Sequence, residues 1–300
     1  MAKKTGKAAT KQKPARPKPP VRLPNVWQLT TTAAQTLWQW RGLFAGITAV
    51  YGALNLLLVQ GLADSTSISN LKDQLDQTFS GHLGSLGSSL GTFVTLAGGA
   101  GNGSSQTAGA YQLFLGLIAS LAIIWALRQV LAGTRLRVRD AYYRGMYPLV
   151  PFALVLLMIS LQLLPLLLGS LLYSVVNANG IVIHAAERLI WAVVGIALAL
   201  WSAYMISSSV FALYIVTLPD MTPVKALRSA RQLVHGRRWT VLRKLLWLPL
   251  LLLAVAAIIM LPIILWLTPL AQWVFFVLTM SALLAAHAYV YTLYRELLNE

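Results

Sequence analysis

The chain has 300 residues, of which 57% are hydrophobic and 11% charged, with a formal net charge of +16 and no cysteine. A soluble domain carries about 25% charged residues, so a globule covered on all sides by water is excluded. The lack of thiols also excludes a disulfide framework, thiolate metal sites and a cysteine nucleophile.

Residues 1–24 form a polar, Pro-rich stretch holding Lys3, Lys4, Lys7, Lys11, Lys13, Arg16, Lys18 and Arg22. No apolar run follows directly, so it does not read as a secretory signal. With high charge and little to bury it is expected to be a disordered cytoplasmic tail. Its roles would be to set orientation and to attract anionic lipid weakly. No stacking aromatic accompanies the lysines, and a nucleic-acid partner is not expected.

From residue 25 onward the pattern predicts an all-α polytopic membrane protein, a bundle of six transmembrane helices with short amphipathic cytoplasmic helices. A crossing needs about 20 apolar residues. Six segments meet that length, at Leu43–Val59, Ala110–Leu127, Pro148–Tyr173, Leu189–Leu218, Val241–Leu267 and Ala271–Tyr294. Pro165 and Pro262 fall inside the third and fifth, where kinks are expected. Of 24 basic residues, 22 lie before the first span, between spans two and three, between spans four and five, or after the sixth; Lys72 and Arg188 alone lie on the other side. The positive-inside rule then places both termini in the cytoplasm. Trp38, Trp40, Tyr142, Tyr143, Tyr147, Trp239 and Tyr294 sit at that side and read as lipid-interface anchors.

The outer segment 63–108 is rich in Gly and Ser, yet Ile68, Leu71, Leu75, Phe79, Leu83, Leu86, Leu90 and Phe93 recur at helical spacing. Gly81, Gly84, Gly87 and Gly91 weaken such a helix by about 1 kcal/mol each relative to Ala. It would form only against the membrane or the outer ends of the spans.

The stretch before the fifth span is the most structured cytoplasmic piece. Thr222-Pro223 reads as an N-cap with proline at the first helical position, and Gly236 as the stop. Val224, Leu227, Ala230, Leu233 and Val234 make an apolar face, with Lys225, Arg228 and Arg231 on the other sides. This predicts an interfacial helix leading into span five. Arg228, Arg231, Arg237 and Arg238, with Trp239 at the interface, are the candidate lipid-binding residues, because a guanidinium forks onto a phosphate. The plainer reading is an elbow that only sets the angle of the fifth helix.

The run from Ala226 to Trp239, led by Pro223 and carrying Ala226, Leu227, Ser229, Leu233, Gly236 and Trp239, resembles the signature of a group of bacterial six-span membrane proteins. These are similar to the membrane domain fused to some glycerophosphodiester phosphodiesterases. The resemblance implies a bacterial inner-membrane protein with no assigned activity of its own. It does not bring the phosphodiesterase domain, whose metal and paired histidines have no counterpart in this chain.

No catalytic motif is present. His82, His184, His235 and His287 fall in different compartments by the predicted topology, and there is no HExxH, Walker or GxSxG pattern. No metal site, cofactor or catalytic residue is expected. No Asp, Glu, Lys or Arg lies deep in a span, which argues against an ion-coupled pump. The polar residues within spans, Asn55, Gln162, Ser202, Ser207, Ser208, Ser209, His287 and Tyr289, read as hydrogen-bonding groups between helices. Two small-residue stripes, Gly195, Ala199, Ala203 and Ser207 on span four and Gly42, Gly46, Ala49 and Ala53 on span one, predict close helix packing. The leading functional expectation is a non-enzymatic integral membrane protein that binds anionic lipid, or a membrane-protein partner, through its basic elbows. The alternative is a permease-like transporter of an uncharged or lipid-like substrate; a membrane enzyme comes third, for want of an acid/base pair.

Overall fold

The computed structural model describes residues 24–59, 69–73, 92–96, 106–134, 136–178 and 185–298. The basic tail, most of the outer segment, His82 and His184 lie outside these residues. Among the described residues the chain is helical, with no strand. The helices are α1 Val26–Gln39, α2 Arg41–Leu58, α3 Gln106–Leu131, α4 Val138–Gly145, α5 Leu149–Gln162, α6 Leu164–Ala178, α7 Ala185–Ser209, α8 Ala212–Ile215, α9 Pro223–Leu233, α10 Arg238–Trp266 and α11 Thr268–Leu298. Six segments are long and apolar enough to cross a membrane: α2, α3, α5 with α6, α7 with α8, α10 and α11.

Two spans are interrupted for local chemical reasons. The third breaks at Leu163, whose N–H bonds back to the Ser160 carbonyl at 3.0 Å while its own carbonyl accepts from Leu167 N–H at 3.0 Å. Pro165, second residue of α6, lacks an N–H and its ring crowds the carbonyl four residues back, which favours the break at this point. The fourth span, expected as one helix, ends at Ser209 and resumes as α8. Three consecutive serines close α7, and their hydroxyls bond back to the carbonyls of Tyr204 (2.7 Å) and Met205 (3.0 and 3.3 Å). Such back-bonding competes with the ladder and bends helices. In α10, by contrast, the helix runs unbroken through Pro249 and Pro262.

The core is concentrated at the end where the basic segments gather. Leu29 and Ala33 of α1, Phe44 and Ile47 of α2, Leu121 and Ile124 of α3, Phe152 of α5, Phe211 and Tyr214 beside α8, Val234, Val241 of α10 and Leu293 of α11 form one buried cluster. Within it Tyr214 stacks on Tyr294 at 5.9 Å and Phe211 on Tyr294 at 6.4 Å. The opposite end has a smaller cluster of Met260, Ile264, Ala271 and Phe275. Leu71 and Phe93, both in described helical turns of the outer segment, pack into it. Helix α4 is held down by Tyr142, whose hydroxyl donates to the Ile47 carbonyl at 2.8 Å. Burial, and secondarily Tyr51 nearby, pushes the Tyr142 phenol up to about 12. Tyr142 is half-buried and Tyr294 buried, so both contribute to packing.

The small-residue stripes fare differently. On α7, Gly195 lies against Gly169 of α6: a Cβ on Gly169 would stand 3.4 Å from the Gly195 Cα. Ala199 and Ala203 are half-buried and Ser207 is buried. On α2 the expectation fails. Gly42, Ala49 and Ala53 are exposed, and the buried face is Phe44, Ile47, Tyr51, Gly52 and Asn55. Asn55 decides the rotation, since its amide is too costly to leave in hydrocarbon. At about 100° per residue, positions 44, 47, 51 and 55 lie nearly opposite 49 and 53. Only Gly46 of that stripe packs closely, making room for the Val138 side chain.

Gly145→Ala is expected to destabilise the protein by about 1–3 kcal/mol. Its new methyl would meet the Leu121 carbonyl and the Ala122 Cα at 3.1 Å, both backbone. Gly42→Ala, with open space around it, is expected to leave the melting temperature in detergent unchanged. Ala203→Leu should lower it. Thermal denaturation of the three variants checks this.

A candidate anion-binding elbow

Helix α9 starts as its sequence dictates. Thr222 has extended backbone angles (φ −85°, ψ 153°), its hydroxyl accepts the Lys225 N–H at 3.4 Å, and Pro223 takes the first helical position. Before it, the turn Leu218–Met221 places Asp220 at φ 60°, a conformation Asp tolerates better than most side chains. At the far end the N–H of Val234 bonds to the Ala230 carbonyl at 3.3 Å. Gly236 then reverses the chain with φ +81°, and α10 begins two residues later.

The seated face of α9 is the one its apolar pattern suggested, save that Val224 turns outward and Ala226 joins the buried side. Ala226, Ala230 and Val234 are buried, Leu227 and Leu233 are half-buried, and Val224 is 58% exposed. Alanine at 226 and 230 lets the helix approach α5 and α7 closely, which turns the bulkier Val224 outward. Lys225, Arg228 and Arg231 are exposed on the remaining surface, Arg237 and Arg238 are half-buried, and Trp239 is 72% exposed.

Two of the four candidate arginines converge. The Nη1 of Arg238 donates to the Tyr204 hydroxyl at 3.1 Å, and its guanidinium carbon sits 5.3 Å from the Tyr204 ring centroid. Tyr204, His235, Gly236, Arg238 and Trp239 line a recess of about 570 Å³. A smaller one of about 190 Å³ shares Tyr204 and Arg238 and adds Arg231, Met205 and Ser208. Arg228 and Arg237 line neither. Trp239 also walls a third cavity, of about 400 Å³, with Leu200, Leu242, Leu246, Thr240 and Arg243. A cationic recess and a mostly apolar one thus meet along a single indole.

Tyr204, His235 and Ser208 were not among the residues assigned to this site from the sequence. Tyr204 lies 34 positions before Arg238, and no local spacing links the two; only the packing of α9 against α7 brings them together.

Other basic residues of this end are structural. Arg128, at the end of α3, donates to the carbonyls of Thr217 (3.0 Å) and Tyr214 (3.2 Å). It thereby satisfies carbonyls at the C-terminal end of α8 that have no helical partner. Lys244, grouped by sequence with the loop cations, is buried on α10, where its ammonium donates to the Pro24 carbonyl. Several of the polar residues within spans bond to neighbouring segments. Ser202 donates to the Gln162 carbonyl, Tyr214 OH meets His287 Nδ1 at 3.0 Å, and Tyr289 OH donates to the Lys244 carbonyl at 3.0 Å. Among the described residues, no three His, Asp or Glu side chains are grouped as a metal site would need.

Comparison of the chain with protein-family models, with curated proteins and with solved structures gave no match.

Gly236→Ala should cost about 1–2 kcal/mol from the left-handed backbone alone, because a Cβ there meets nothing within 4 Å. Gly236→Asn should recover part of that loss, since Asn tolerates this conformation. Melting temperatures of the two variants in detergent, beside the parent, measure both effects.

Proposed function

We propose that this chain is a non-enzymatic protein of the bacterial cytoplasmic membrane that binds anionic phospholipid at the elbow between α9 and α10. The observation that carries the reading is the pairing of recesses across Trp239. Arg238 and His235 lie on one side, where a phosphate would sit, and Arg231 reaches Arg238 from the smaller adjoining recess. Leu200, Leu242 and Leu246 line the other, with Arg243 and Thr240 at the same cavity, and an acyl chain would run along the leucines. Arginine suits the first because its planar fork offers two donors to one phosphate. Tyr204 holds Arg238 from one edge and one face, which pre-pays part of the cost of ordering a long side chain. His235 lies open beside it as a further donor or acceptor.

The orientation proposed has both termini in the cytoplasm, supported by the 22 basic residues assigned to one side. That side faces the anionic leaflet surface, where each nearby Lys or Arg contributes about 1 kcal/mol. The bacterial setting rests on the resemblance of the segment 223–239.

Two experiments test this reading. The natural lack of cysteine makes single-cysteine labelling clean. In intact cells Ser105→Cys should react with an impermeant thiol reagent and Ser229→Cys should not; the opposite result overturns the orientation. For the site, native mass spectrometry should show that Arg231→Gln with Arg238→Gln weakens retention of phosphatidylglycerol about tenfold or more. Arg228→Gln, outside the recess, should have a smaller effect, and added salt should deepen the loss. Equal retention by parent and double variant would reduce the elbow to a device for orientation.

A further inference from the structure

The failed packing stripe on α2 leaves a second concave surface, on another face of the bundle. Elsewhere the outward faces of the spans carry bulky aliphatics, such as Leu154, Leu157 and Leu161 on α5 or Ile190 and Val193 on α7. On α2 the exposed positions include Ala45, Ala49 and Ala53 in one row, with Val50, Leu57 and Leu58 to either side. The small alanine side chains open a groove of about 790 Å³ against Phe276, Met280 and Leu284 of α11. The Ser281 hydroxyl beside it is turned back onto its own helix, bonding the Val277 carbonyl at 2.8 Å, and Thr48 is the other hydroxyl on a lining that is mostly apolar.

One end of this groove is charged. Arg41 lines it where α1 meets α2, with its guanidinium 5.6 Å from the ring centroid of Trp38, which is itself 73% exposed. No acidic side chain lines the groove. From Arg41 to Leu56 the groove follows about 22 Å of helix, more than the roughly 15 Å depth of one leaflet's hydrocarbon. We propose that this groove is a second binding site for an anionic phospholipid, separate from the elbow, with Arg41 on the phosphate and one acyl chain lying along Ala45, Ala49 and Ala53.

Charge decides between a lipid and a second copy of the chain. A twofold pair inserted in one orientation would match this face to itself and bring the two Arg41 side chains together, each without an acid to offset the repulsion. An anionic headgroup neutralises Arg41 instead. The stacked Trp38 ring covers one face of the guanidinium and leaves its in-plane donors for phosphate oxygens.

The test is native mass spectrometry of the full chain in detergent with added dioleoyl phosphatidylglycerol or dioleoyl phosphatidylcholine. Arg41→Gln should weaken phosphatidylglycerol binding about fivefold, the loss of one cation near an anionic headgroup. Phosphatidylcholine binding should barely change. Ala49→Leu with Ala53→Leu should fill the groove and remove the same bound lipid. Arg41, Ala49 and Ala53 are all exposed, so these changes leave buried packing intact, and melting temperatures should match the parent. Both losses should appear equally in an Arg231→Gln, Arg238→Gln background, which separates this site from the elbow whatever the elbow binds. Unchanged phosphatidylglycerol binding in Arg41→Gln and in the double leucine variant overturns the proposal. So does a dimer in the parent that the double leucine variant converts to monomer, since the face would then be a contact between chains.

Discussion

The bundle depends on one kind of bond: a side-chain donor from one helix reaching a main-chain carbonyl of another segment. Tyr142 does this to Ile47, Arg128 to Thr217 and Tyr214, Tyr289 to Lys244, Lys244 to Pro24 and Ser202 to Gln162. Inside a bilayer there is no water to compete and little hydrophobic drive to bring helices together, so packing and such bonds must do both. Two of the acceptors, Gln162 and Thr217, lie at or just past helix ends, where carbonyls lack a helical partner. The break in the third span and the end of the fourth therefore supply acceptors that neighbouring helices use.

The bonds named above gather largely at the basic end, and the larger buried cluster lies there too. The large buried cluster runs through α1, α3, α5, α8, α9 and α11 near the basic end. Outward from it, α6 and α7 pack extensively on each other, with Gly169 close against Gly195 and Leu198, and present leucine, valine and isoleucine to their surroundings. The base carries the elbow, and the packing of α9 and α10 on α7 keeps Tyr204 and Arg238 in register although they belong to different spans.

Six spans, the cap at Thr222-Pro223 and the stop at Gly236 were legible in the sequence, because each follows from local rules: apolar length, a hydroxyl before proline, and a glycine free to take positive φ. Helix α1 was missed. Its signal was the pair Asn25 and Gln28, whose side chain accepts the Asn25 N–H at 3.1 Å, followed by Leu29 and Ala33 one turn apart. Those residues sit next to a charged, Pro-rich tail, and composition masked the period. The rotation of α2 was misread because small residues permit close packing without requiring it, whereas one buried amide, Asn55, requires it. The convergence of Arg238 with Tyr204 was not legible, since it exists only once α9 is seated on alanines. Val224 faces outward for the same reason.

The bond from Lys244 to Pro24 fixes where the amino-terminal stretch joins the bundle. Lys244 lies six residues along α10 from Arg238, about 9 Å of helix. Eight lysines and arginines precede Pro24 in the chain. Because the bond anchors the segment that carries them, an anionic ligand held at the elbow as proposed would meet them as a second, intramolecular encounter. A patch engaging both would bind with an avidity that neither has alone. Cutting the chain near Pro24 would abolish that avidity without touching a residue of either recess.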